Sequence, residues 1–113
     1  MNFLSPIKDR DHLRDVCITA QYNICVICGK GLYGDAEVHE SIVKRSDLPN
    51  DKRIFAPVNC CALHSHCHEN TAAVDEACAD WLIGRYGLFL IQDFLIGLKM
   101  KVYPTRAQII LRM

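Results

Sequence analysis

The chain lacks an uninterrupted apolar run long enough to cross a membrane. Its nearest stretch, Leu88 to Leu98, is broken by Gln92, Asp93 and Gly97, short of the roughly 18 residues that mark a spanning helix. A soluble protein with no membrane partner is expected. The first residues carry no apolar run that reads as a signal peptide. Charge of one sign is missing too: the formal net charge at pH 7 is zero, whereas a domain that grips nucleic acid mainly through phosphates usually carries a basic excess. Any nucleic-acid surface must therefore be local. Repeats, low-complexity tracts and linkers are also absent, which leaves one domain over residues 1–113.

Half of the residues are apolar, yet in a chain this short a hydrophobic core alone is only marginally sufficient, and a staple would help it fold. The seven cysteines, Cys17, Cys25, Cys28, Cys60, Cys61, Cys67 and Cys78, are an odd number. Without a signal peptide they read as reduced thiols of a cytoplasmic protein. In that compartment clustered Cys and His serve as metal ligands more readily than as disulfides.

Periodicity orders the chain. Leu13, Val16, Cys17 and Ala20 recur at helical steps, with Asp9 or Asp11 placed to cap, so a leading helix is expected over 8–22. A short strand follows within Ala36 to Val43, then a polar loop from Lys44 to Arg53 rich in turn formers, then a second strand near Ile54 to Leu63. Glu69, Asn70 and Thr71 suit the opening of a helix, and Val74, Cys78, Trp81, Leu82 and Tyr86 share one helical face up to Gly87. A further helix is expected from Leu88 to Met100, and a last one from Thr105 to Leu111, started by Pro104. The reading is α+β: a leading helix, a core over 23–73, and C-terminal helices over 74–113.

Two ligand pairs stand inside that core. Cys25 and Cys28, ahead of the turn Gly29-Lys30-Gly31, and His64 and Cys67 have the spacing of two zinc knuckles. Together they supply three thiolates and an imidazole, a closed tetrahedral set for structural zinc. Cys60, Cys61 and His66 are nearby competitors for the fourth position. Cys60 and Cys61 read better as core residues of the second strand, as free cysteines often are.

Between and behind the knuckles stand Glu37-Val38-His39-Glu40 and Asn59-Cys60-Cys61-Ala62-Leu63-His64-Ser65-His66-Cys67-His68. This arrangement resembles the HNH endonuclease family, the zinc-stapled ββα-metal nucleases. That family's pattern is a Cys-x-x-Cys knuckle, a strand with a catalytic His, an Asn, and a second knuckle followed at once by His. Asn59 and His68 fall in register, with His64 in place of the second knuckle's first Cys. The match spans under half of the chain.

The resemblance implies a metal-dependent endonuclease hydrolysing phosphodiester bonds, with DNA as the expected partner, nicked or cut through both strands. His39 would be the general base, Asn59 would hold the imidazole or its strand, and His68 would bind a catalytic divalent ion, Mg2+ or Mn2+ or another, distinct from the staple zinc. Hydrolysis needs such a base and such a cation, and histidine titrates near neutral pH. The pair His39-Glu40 departs from the family, whose strands commonly carry a metal-binding Asp or His followed by the base. Either His39 is the base and Glu40 or Glu37 completes the metal shell, or His39 binds metal and Glu40 is the base. The first is favoured, because an exposed carboxylate with a pKa of about 4.3 is a poor base at pH 7.

Lys44, Arg45, Lys52 and Arg53 are candidate phosphate contacts, or simply a solvated loop. The departure at Glu40 and the neutral charge keep a second possibility open: a zinc-stabilised nucleic-acid- or protein-binding module without catalysis. The C-terminal helices could form a homodimer or docking surface, although completing the core is the preferred role. Small free-standing members of the family are often encoded by phages or mobile elements, which implies a host cytoplasm.

Overall fold

A computed structural model describes residues 2–98. Within them the first helix, α1 (Arg10–Ala20), starts where the Asp9 carboxylate accepts from the N–H groups of Asp11 and His12, satisfying donors that a helix start otherwise leaves free. Leu13, Cys17, Ile18 and Ala20 turn inward. Tyr22 and Asn23 then adopt positive φ and swing the chain into the first knuckle. There Gly29, at φ 74°, allows its N–H to donate to the Cys25 carbonyl at 2.9 Å.

Strand β1 (Glu37–Glu40) pairs antiparallel with β2 (Cys60–Leu63), with Glu37 opposite Leu63 and Glu40 opposite Cys60. Opposed residues share a face. One face therefore carries His39 and Cys61, against the second helix, α2 (Ala72–Tyr86), where the Cys61 thiol meets the Cys78 carbonyl. The other carries Glu40 and Cys60, against α1, where the Cys17 thiol meets the Cys60 carbonyl. Thr71 caps α2 by accepting from the Val74 N–H, and Gly87, at φ 89°, ends it. The third helix, α3 (Leu88–Leu98), leaves α2 at 111°. Ile91, Phe94, Leu95 and Leu98 close the core beneath it. No single helix among the described residues is long and apolar enough to cross a membrane.

Two expected elements differ from those observed. The first strand is not one of them: it falls within 36–43 and stops at Glu40, where the N–H groups of Ile42 and Val43 turn to the Asn59 side chain. The second does not begin near Ile54. Lys52–Phe55 and Pro57–Asn59 form short 3-10 turns, the first capped by Asp51 and the second opened by Pro57, which has no N–H to give a strand. The leading helix is shorter than 8–22. The expected helix from Thr105 to Leu111 and the end of the preceding one at Met100 lie outside the described residues.

Asn59 is fully buried and all of its amide is used. Its Oδ1 accepts from Ile42 and Val43, and its Nδ2 donates to the carbonyls of Val43 and Ile54. Its own carbonyl accepts from the Ser41 N–H at 2.8 Å. The segment that leaves β1 is thus tied to the segment that enters β2. Each buried backbone group left unpaired costs about 1–3 kcal/mol. Asn59→Ala should therefore lower stability in urea unfolding by at least ~3 kcal/mol, and a loss below ~1 kcal/mol would show that water replaces the amide.

Candidate functional site

The two knuckles converge although Cys28 and His64 lie 36 positions apart in the chain. The ligand atoms of Cys25, Cys28, His64 and Cys67 all lie within 4.8 Å of one another, and the Cys28 sulfur is 3.3 Å from His64 Nδ1. On the far side of that ring, Nε2 meets the Gly31 carbonyl at 2.8 Å. A carbonyl only accepts, so Nε2 carries the hydrogen and Nδ1 keeps its lone pair toward the sulfurs. Such a backbone carbonyl behind the ring is the usual support of a metal-binding histidine.

The thiols fit the same group. Burial raises the Cys25 pKa, but the N–H groups of Cys28, His64 and Ile27, with the His64 ring, more than offset it and bring the thiol down to about 6. Cys67 goes the other way, pushed up to about 12 by burial and by the neighbouring Cys28 and Cys25 sulfurs. Three sulfurs this close resist ionising together unless a cation lies between them. The tetrad could hold a structural metal such as zinc. The competitors fall away: Cys60 and Cys61 are buried in the sheet, and His66 stacks on the outside of the His64 ring.

A second cluster lies in an open groove of about 920 Å³ along β1, walled by Arg10, Asp11 and Arg14 of α1 on one side and by His68, Asn70 and Asp75 on the other. His39, 1% exposed, sits edge-on to His68 with ring centroids 5.0 Å apart. Its Nε2 is 2.8 Å from Asp75 Oδ1, which also accepts from Lys44 Nζ at 2.7 Å. An oxygen already accepting from an ammonium assigns the hydrogen to Nε2, and Nδ1 is left as the basic atom of His39. Burial lowers the His39 pKa, Lys44 adds to this, and Asp75 opposes it. His68 Nδ1 meets Glu37 Oε1 at 2.9 Å, and by the same logic its Nε2 is the free nitrogen.

The expected site residues are thus placed as follows. His39 and His68 come together, with Glu37 beside them. Asn59 holds the backbone after β1 rather than the imidazole. Glu40 corrects the expectation of an exposed carboxylate: alternation puts it on the opposite face of β1 from His39, 7% exposed, with Arg45 Nε at 2.6 Å. Lys44, Arg45 and Arg53 are paired with Asp75, Glu40 and Asp51 respectively, while Lys52 is exposed. Among the described residues, the four knuckle ligands are the set gathered tightly enough to enclose an ion.

Asp75 was not anticipated. It lies at i, i+3, i+7 with the buried Cys78 and Leu82, and a carboxylate next to an apolar stripe was the available signal. Arg10 and Arg14 gave no such signal, since charges on the open face of a helix are ordinarily solvated. Comparison with protein-family models, with curated proteins and with solved structures finds no match to this chain.

Zinc-loaded protein should contain one zinc per chain by elemental analysis. Cys28→Ser and Cys67→Ser should each lose it, and chelation should lower Tm by on the order of 15 °C. Wild-type protein that melts unchanged with and without a chelator would show that the tetrad holds no structural ion.

Proposed function

We propose that the chain is a metal-dependent endonuclease of the HNH type, hydrolysing phosphodiester bonds of DNA. The observation that carries the reading is the edge-on meeting of His39 and His68 in a groove whose walls also bear Arg10, Arg14, Lys44 and Arg45. The succession β1, β2, second knuckle, α2 is the order that a ββα-metal core requires. Four carboxylates share the groove, Asp11, Glu37, Glu40 and Asp75, and pair with Arg14, His68, Arg45 and Lys44 respectively.

In this reading His39 Nδ1 takes the proton from the attacking water, while Asp75 holds the opposite nitrogen and favours the cation that forms. His68 Nε2, backed by Glu37, would hold a divalent ion such as Mg2+ or Mn2+. Such an ion supplies charge stabilisation at the phosphate and is commonly bound by one or two protein groups together with water and substrate. Arg10 offers hydrogen bonds to phosphate oxygens along the groove, while Arg14 beside it is held by Asp11 and Asp15. Asn59 acts at one remove, fixing the chain that follows His39.

Incubating zinc-loaded protein with supercoiled plasmid and Mg2+ or Mn2+ should give nicked or linear product. His39→Ala should slow this by about 100-fold or more while keeping its zinc. Asp75→Asn should slow it less, because the ring remains but loses its fixed carboxylate. Wild-type cutting by zinc-loaded His39→Ala would overturn the mechanism. Binding without cleavage in every metal would favour a zinc-stabilised binding module.

A further inference from the structure

A second cavity, of about 530 Å³, opens beside the groove and shares Arg10 and Arg45 with it. Its floor is apolar, built from Phe55 and Ile7, and Lys8 and Lys52 complete a rim of four cations, of which Arg45 is paired with Glu40. No acidic residue lines it among the described residues, although acids and bases are equal in number along the chain. The guanidinium groups of Arg10 and Arg45 lie over the Phe55 ring, their carbons 5.5 and 5.6 Å from its centre, so a base reaches the ring by displacing one of them. The nearest acid in the 50–53 turn, Asp51, is engaged by Arg53.

An apolar aromatic floor under a rim of cations is the chemistry that takes a stacked base together with its phosphates. A purely electrostatic anion site would not need the floor, and an apolar protein contact would not need four cations. We propose that this cavity binds the nucleic-acid strand beyond the bond to be cut, one unstacked base resting on Phe55 and its flanking phosphates on Lys8, Arg10 and Lys52. The inference rests on the nuclease reading for its direction, since the strand enters from the groove through Arg10 and Arg45. The cavity also bears on substrate form. A base reaches Phe55 only when it is out of the duplex, so a single-stranded or frayed flank should bind better than a closed one.

Binding, rather than cleavage, is the suitable readout, because it separates this proposal from the reaction. A fluorescein-labelled 20-nucleotide single strand is titrated into zinc-loaded His39→Ala protein at several salt concentrations, and the anisotropy is recorded. Adding Phe55→Leu, which keeps apolar volume but removes the ring, should weaken binding about 10-fold. The double substitution Lys8→Gln and Lys52→Gln, at exposed positions, should flatten the dependence of log K on log salt by roughly 1.4. A duplex of the same sequence should respond less to Phe55→Leu than the single strand does.

Both sets of variants binding as the parent does would overturn the proposal, as would a parent that fails to bind the strand at all. Displacement by polyglutamate at equal charge, with Phe55→Leu silent, would overturn it in favour of an acidic protein partner. Failure of wild-type protein to cut plasmid would instead count against the nuclease reading. The binding result would be read independently of that failure.

Discussion

The meeting of two knuckles 36 positions apart is the constraint on which the rest of the structure depends. Between Cys28 and His64 lie both strands, the long connection and Asn59. A two-stranded hairpin is marginal in water unless it is packed or tied. Here α1 and α2 cover its faces, and the tetrad closes its open end. Closing a long loop removes freedom that the unfolded chain would otherwise have. The tetrad therefore does for the second-knuckle end of the hairpin what the Asn59 amide does for the other.

A common device runs through the three placed histidines. His64 is held through Nε2 by the Gly31 carbonyl, His68 through Nδ1 by Glu37, and His39 through Nε2 by Asp75. Each ring keeps one lone pair in a fixed direction. In the proposed reading, one side-chain chemistry is thereby divided into different tasks: a ligand among sulfurs, a ligand for the catalytic ion, and a base. The neighbours of each ring make that division, since the hydrogen bond made by one ring nitrogen decides the state of the other. The sheet adds a further sorting, because alternation along β1 keeps Glu37 with His39 and turns Glu40 to Arg45 on the α1 side of the groove.

Much of this was legible from spacing. Asp9, Thr71 and Gly87 mark helix ends by chemistry local to each position, and the two knuckle pairs announce a set of side chains that could hold a metal, because their residues have few other reasons to be so spaced. What spacing could not show is where polar side chains find partners at long range. Asn59 was expected to steady the imidazole or its strand, but its role emerges only when residues 41–43 fold back over it. The second strand looked long because Ile54 to Leu63 is apolar, yet Pro57 and the Asp51 cap break it into turns. Asp75 and Arg10 belong to helices remote in sequence from β1 and reach the groove through tertiary packing alone.

The central claim is that a metal-stapled hairpin presents His39 and His68 to a phosphodiester. Its most direct test is a crystal grown with zinc, Mn2+ and a short DNA duplex, with anomalous maps at the zinc and manganese edges. The account predicts zinc amid Cys25, Cys28, His64 and Cys67, and manganese bound to His68 Nε2 and to a phosphate oxygen, with His39 Nδ1 facing the same phosphorus. Manganese bound away from His68, or a phosphate held elsewhere on the surface, would contradict it.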